Sequence, residues 1–343
     1  MTDPITMPAL WTAEKRRIPQ IGLSGTLWQM TRAGSNVHSY FTHPVWLPDG
    51  SGLVFASDRT GRTEAFLVEW PSGSMHQITA EGTGTPVVSL DGRCILYFRN
   101  RVLIEQDIST GDRRDVAAQP DQAEGVGLVG QTADGMNIAF ACHSGHSSFF
   151  SKVHRCGGTV RIFHRDHRWL EHLNPSPSDP GLLSFAWTIP GQGESSQRLW
   201  LVGIDGKQVR PIYPQAPSEL VTHEAWSADG KWIAFTSGPF DRTPGSFSLK
   251  RVDPYSGIHE TIAKGGNFWH CAPNDDCSMI VADTNWPDEG IKLVDAERQS
   301  SETLCLSRCR TAHAHPCFSP DGRKVVFTSD MTGRNQIYVA ELP

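Results

Sequence analysis

One turn recurs along this chain and sets what it can fold into. Pro48-Asp49-Gly50, Asp91-Gly92, Asp134-Gly135, Asp179-Pro180-Gly181, Asp229-Gly230 and Asp321-Gly322 each separate short apolar runs, and Asp275-Asp276-Cys277 stands as a degraded copy before the last. Asp-Gly supplies the positive φ that a tight hairpin turn needs. In the first copy the turn follows His43-Pro44-Val45-Trp46-Leu47. It leads into Leu53-Val54-Phe55-Ala56-Ser57, Ala65-Phe66-Leu67-Val68 and Gln77-Ile78-Thr79. Short strands repeated at roughly 40 to 50 residues are the signature of propeller blades. Seven copies therefore predict an all-β fold, a seven-bladed β-propeller.

The ends of the chain predict how the ring closes. The seventh copy holds sequence for three strands and lacks its Gln-Ile-Thr strand. The segment Gly25-Thr26-Leu27-Trp28-Gln29-Met30-Thr31 resembles Ser74-Met75-His76-Gln77-Ile78-Thr79. The N-terminal strand is thus expected to complete the last blade and leave no open edge. The expected organisation is one domain over residues 1–343, with an N-terminal extension over 1–24 and the blades over 25–343. No Gly-x-Ser-x-Gly nucleophile elbow is present, which argues against a peptidase carrying the propeller as an appendage.

Composition narrows the function. A net charge of -6 argues against nucleic acid as the partner. No apolar run approaches membrane-spanning length, so no membrane partner is expected. Met1 to Pro19 has no positive region followed by an apolar stretch, so no signal peptide is expected. Eight cysteines without a CxxC pair read as reduced thiols in a cytoplasmic setting, and not as a structural zinc site.

The turns also locate the chemistry. Six residues before the turn aspartate stand His43, His223, His270 and His315, and His172 precedes the longer fourth turn by seven. Histidine is only 14 of 343 residues, yet five blades carry it where the innermost strand opens. The five imidazoles are expected to ring one mouth of the central channel. Any one of them can serve its blade by a hydrogen bond and nothing more. His313 and His315 add a second feature, because residues i and i+2 of a strand share a face. With His270 one blade earlier, three neutral nitrogens converge, which suits a divalent metal. Arg198, on a strand of the fourth copy, offers a cation for an anionic substrate in the channel, or a solvated arginine packed on Trp200. Asp58-Arg59-Thr60-Gly61-Arg62 and Asp330-Met331-Thr332-Gly333-Arg334 recur at one blade position and read as hairpin turns. Cys271 and Cys317 read as packing thiols. His38 and Tyr40 precede the first blade without an assigned role.

Taken together, these residues resemble the oligogalacturonate lyases, seven-bladed propeller enzymes of pectin breakdown. The resemblance runs from Asn36-Val37-His38-Ser39-Tyr40-Phe41 to the end of the chain. Its most specific parts are Trp169-Leu170-Glu171-His172-Leu173-Asn174-Pro175-Ser176-Pro177, Arg198-Leu199-Trp200, Thr222-His223-Glu224-Ala225-Trp226, His270-Cys271 and His313-Ala314-His315-Pro316. It implies a divalent metal, commonly manganese, on His270, His313 and His315, with His223 as catalytic base and Arg198 as the essential arginine. The family's remaining ligand is a glutamine three residues before the His-x-His pair. Here that position is Arg310, which has no acceptor for a metal. Either three histidines and water hold the ion, or Arg310 takes over part of its electrostatic task. His172, His43 and Arg310 are assigned to substrate binding.

The implied reaction suits the residues. In a 1,4-linked uronate a base removes the C5 proton and the C4 oxygen leaves, which gives a 4,5-unsaturated product. A metal neutralises the carboxylate as a Lewis acid, an arginine holds the developing charge, and a histidine has a suitable pKa for the base. The substrate class expected is a small anionic oligosaccharide. Two other readings stand beside it: a lyase for a different uronate, and a TolB-like scaffold without activity.

Overall fold

Each Asp-Gly pair makes the turn expected of it. In the computed structural model, which describes residues 10–145, 147–189, 193–285 and 287–343, Gly50, Gly92, Gly135, Gly230 and Gly322 have φ between 66° and 72°. The aspartate of each turn accepts a hydrogen bond from the backbone two residues on, as Asp91 does from Arg93 and Asp321 from Arg323. A preceding hydroxyl donates to the same carboxylate, as Ser89, Thr132, Ser227 and Ser319 do. This explains the recurring Ser/Thr-x-Asp-Gly pattern. In the degraded copy Cys277 takes the left-handed place with φ 59°, and Asp276 still accepts from Ser278.

Among the described residues there is no helix, and the strands form seven antiparallel sheets arranged in a ring. The chain is a seven-bladed β-propeller, as the repeat predicts. From the channel outward, blade four is Trp169–Pro175, Leu182–Ile189, Gly193–Gly203 and Arg210–Pro211. Blade five is Glu219–Trp226, Ile233–Pro239, Phe247–Val252 and His259–Gly266. Blade six is Phe268–Pro273, Met279–Thr284, Ile291–Asp295 and Ser300–Cys305. Period-two alternation packs each sheet on the next. Leu220, Ala234 and Leu249 of blade five meet Cys271, Ile280 and Ala282 of blade six in one buried cluster. Cys271 and Cys317 are buried, in keeping with packing thiols, and all eight cysteines are unpaired.

The ring closes through the N-terminal strand. Thr26–Gln29 pairs antiparallel with Gln336–Glu341, with Leu27 opposite Ala340. Past the strand, Met30 donates to the Ile337 carbonyl, and Thr31 bonds Gln336 through its hydroxyl at 2.7 Å. The expected extension does more than precede the blades. Arg16–Ile18 adds a fifth strand outside Thr26–Gln29, and Leu10–Trp11 adds one outside Met75–Gln77 of blade one. Residues 1–9 of that extension lie outside the described residues. Between the two added strands Glu14 reaches the buried guanidinium of Arg59, which also binds Asn36. The Asp58 turn that carries Arg59 is thus a hairpin with a closure role.

Closure carries much of the fold's stability. Leu27 and Met30 are fully buried, and each such side chain contributes about 1.5–3 kcal/mol. With the ladder bonds this is comparable to a whole domain's net stability of about 5–15 kcal/mol. Deleting residues 1–31 is therefore expected to abolish cooperative thermal unfolding in calorimetry. A truncated chain that melts like the parent would show that closure lies elsewhere. Among the described residues no helix is long and apolar enough to cross a membrane.

Candidate functional site

The inner strands build the site where their ladders break. In blade four the pairing jumps between Glu171 and Asn174, which leaves His172 and Leu173 unpaired. In blade five it jumps between Thr222 and Ala225, around His223 and Glu224. In blade six the gap falls on Trp269 and His270. In blade seven Thr328 donates to the Ala314 carbonyl while Cys317 pairs with Val326, so His315 and Pro316 bulge opposite Phe327. A bulge re-aims a side chain, here toward the channel. His172, His223 and His315 take positive φ of 49°, 58° and 50° to do so, a conformation that non-glycine residues adopt at a cost.

Blade one makes a longer excursion. Val37 pairs with Ala56, and Val54 donates to the Val45 carbonyl, so residues 38–44 lie opposite Phe55 alone. This loop puts Tyr40 and Phe41 among the imidazoles. The Tyr40 ring centroid lies 5.3 Å from that of His172, 6.0 Å from His270 and 4.8 Å from His315. Phe41 lies 6.5 Å from His223 and 5.6 Å from His270. The expected ring of five is an arc. Its members come from the consecutive blades four, five, six, seven and one, while blades two and three carry Thr85 and Leu128 six residues before their turn aspartates.

At the centre of the arc, His270, His313 and His315 converge. One ring nitrogen from each lies within 4.8 Å of the others. The backbone reason differs from the one the spacing suggests, since His313 and His315 do not lie on a strand but in the irregular segment before Cys317–Phe318. Asp330 shapes that segment by accepting from the backbone N–H groups of Arg310, Thr311 and Ala312 and from the Thr311 hydroxyl. The positive φ at His315 then completes the convergence. Asp330 opens a hairpin turn, as expected, and also clamps this loop. Asp283, buried in the second strand of blade six, accepts from the His270 backbone and bonds His270 Nδ1, both at 2.8 Å. That bond fixes the tautomer and leaves Nε2 to face a ligand, the usual second-layer support of a metal-binding histidine. Burial pushes His315 well below the ordinary histidine pKa, helped by the His270 charge. His313 is lowered for the same two reasons. Neutral imidazoles are the form that binds metal, so this donor set fits a divalent ion.

His223 stands beside the triad, its ring centroid 4.1 Å from that of His270. Its Nδ1 lies 2.9 Å from the Trp269 carbonyl, which can only accept. Nδ1 therefore carries the proton, and Nε2 holds the free lone pair. Burial foremost, then the charges of His270, His172 and Arg198, push its pKa well below the ordinary value. Arg198 is buried, not solvated, and its Nε lies 3.5 Å from Glu224 Oε2. The other oxygen of Glu224 lies 3.0 Å from His172 Nδ1. Neither contact has the alignment of a formed hydrogen bond, so both carboxylate oxygens stay buried with ionic partners alone. Burial raises the pKa of Glu224, but Arg198 and His172 outweigh it and hold the carboxyl at about 2.

His43 and Arg310 complete the assigned residues. His43 is buried and bonds the Thr42 hydroxyl through Nδ1, with its pKa lowered to about 4 by burial and then by the His172 charge. Arg310 is exposed, and its backbone is held by Asp330. Sequence reasoning did not single out Glu224, Asp283 or the Tyr40-Phe41 plug. An acid inside an apolar strand, as in Val281-Ala282-Asp283-Thr284, was the available signal for Asp283.

No protein-family model matches the chain. Curated relatives do. The oligogalacturonate lyase of Dickeya dadantii is 24% identical over 89% of this chain and 90% of its own length. A crystal structure of an oligogalacturonate lyase from Vibrio parahaemolyticus superposes with a TM-score of 0.89 and 23% identity, covering 98% of this chain and 99% of the other. An oligogalacturonate lyase in complex with manganese gives a TM-score of 0.90 at 20% identity, covering 98% of each chain. These similarities bear out the resemblance read from the residues.

Proposed function

We propose that this chain is an oligogalacturonate lyase, which cleaves short 1,4-linked uronate oligomers by β-elimination to 4,5-unsaturated products. One observation carries the reading. Three imidazoles fit for a divalent ion converge, a fourth stands against them with Nδ1 on a carbonyl, and a buried arginine lies beside Glu224, the residue next to that fourth in the chain. A scaffold has no use for buried neutral imidazoles held in strained backbone. The curated relatives and the manganese-bound structural neighbour support the same activity and the same metal. Eight unpaired thiols favour a reducing, cytoplasmic setting.

His270, His313 and His315 would hold the ion, and Asp283 orients His270 for it. A divalent metal supplies Lewis-acid neutralisation of the uronate carboxylate, which makes the neighbouring C5–H acidic enough to lose. Arg198 pairs with the same carboxylate or its enolate form, in a buried site where such a contact counts most. His223 takes the C5 proton on Nε2, while the Trp269 carbonyl holds its other nitrogen in place. His172, His43 and Arg310 bind the oligomer around these groups. The test is the ultraviolet absorbance of unsaturated uronates, followed with a panel of uronate oligomers and added Mn²⁺. Oligogalacturonate is expected to give the strongest signal. A stronger signal with another uronate would reassign the sugar, and silence on every member would overturn the lyase reading.

A further inference from the structure

We propose that His172 is the acid that protonates the leaving O4 oxygen, with the buried Glu224 carboxylate positioning it as an imidazolium. This deepens the lyase reading and rests on it. The elimination leaves an alkoxide at O4, and neither His223 nor Arg198 supplies its proton. His172 and His223 come from adjacent blades with ring centroids 6.5 Å apart and planes 27° apart. That spacing lets a donor and an acceptor flank one carbon–carbon bond of a sugar.

The two imidazoles differ in what their Nδ1 atoms face. His223 faces a carbonyl, which holds a neutral ring with a basic Nε2. His172 faces a carboxylate at 3.0 Å, an anion that can compensate the charge of a proton-donating ring. Opposite environments on a pair of titratable groups assign the acid and the base. The remaining neighbours leave this contrast in place. Tyr40 presents its ring to His172, and His43, His223 and His315 are held toward the neutral form, burial foremost. Arg198 shares the carboxylate from the other side at 3.5 Å. Glu224 thus sits between the Arg198 guanidinium and the His172 ring. The His172 side chain is 22% exposed, while its Nδ1 is buried with the Glu224 carboxylate as its ionic partner.

The step balances. The C5–H bond breaks and its proton goes to His223 Nε2. The bonding pair forms the C4–C5 double bond, and the C4–O4 pair leaves on oxygen. O4 takes the proton from His172 Nε2. One proton has moved from His172 to His223, and exchange with water resets both.

The experiment compares oligogalacturonate with a uronate that bears an aryloxide at C4, a leaving group that needs no proton. His172→Gln is expected to slow the oligomer reaction by about 10²- to 10⁴-fold and the aryl substrate by a far smaller factor. His223→Ala should slow both. Glu224→Gln, measured on the oligomer, should move the alkaline limb of kcat to lower pH, because the imidazolium loses its carboxylate. Equal losses on both substrates for His172→Gln, full activity on the oligomer, or an alkaline limb that does not move in Glu224→Gln would each overturn the proposal. A wild-type protein silent on every uronate overturns the lyase reading instead. The Glu224→Gln profile keeps the question decidable should His172→Gln fail to fold.

Discussion

Replacing both His313 and His315 with alanine should strip the protein of its metal and of its activity together. Protein purified without chelator is expected to carry about one equivalent of divalent ion, since the three nitrogens already lie within 4.8 Å of one another. The double variant leaves His270 alone, and one imidazole cannot hold the ion. Its loss should also be visible without any turnover assay. A ligand that binds only the folded state stabilises it by about 2.7 kcal/mol at a hundredfold excess over Kd. Added Mn²⁺ should therefore raise the melting temperature of the parent and leave that of the double variant unchanged. Asp283→Asn should weaken binding by about 10- to 100-fold, the usual effect of losing the support of a ligating histidine. Full metal retention by the double variant would refute the site.

The candidate metal site shows how far sequence reading reaches. That three histidines converge was legible, because two of them fall at a fixed count before a recurring turn. The reason they converge was not. A strand argument brought His313 and His315 to one face, whereas the molecule uses a loop clamped by Asp330 and a left-handed backbone at His315. Both features depend on partners 14 to 20 residues away in the chain, and Asp330 reads locally as a mere hairpin residue. The arc was equally hidden. Counting residues places each histidine at one level of its blade but gives no side-chain direction, which the bulges set. The strand that closes the ring, by contrast, was legible, since Thr26–Gln29 carries the pattern of the strand that the last blade lacks.

Glu224 illustrates a different limit. Next to His223 in a strand it should point to the opposite face, so sequence alone sets it apart from the site. The bulge that leaves both residues unpaired removes that rule, and the carboxylate comes to lie between His172 and Arg198. A group that organises two others across three strands has no signature in any one of them. The exposed side chain of Arg310 makes the converse point. It stands where the resemblance expects a ligand, yet it is not among the charges that shift His313 or His315.

Removing the His223 imidazole should separate chemistry from metal binding. His223→Ala is expected to retain the ion, because Asp283 and the clamped loop position the triad without it. Turnover should fall by about 10²- to 10⁴-fold, the range for a positioned acid–base group. KM should change little, because Arg198 and the triad remain to bind the substrate carboxylate. The Trp269 carbonyl keeps its bond from the Thr236 hydroxyl at 3.0 Å, so the blade junction stays satisfied when Nδ1 is gone. The melting temperature is therefore expected to stay close to that of the parent. This combination of intact metal, intact fold and lost kcat distinguishes a base from a ligand and from a packing histidine. A variant that loses its metal would make His223 part of the ion's site. A variant that keeps full turnover would leave the C5 proton to another group. His172, in the matching bulge of the adjacent blade, would be the next candidate.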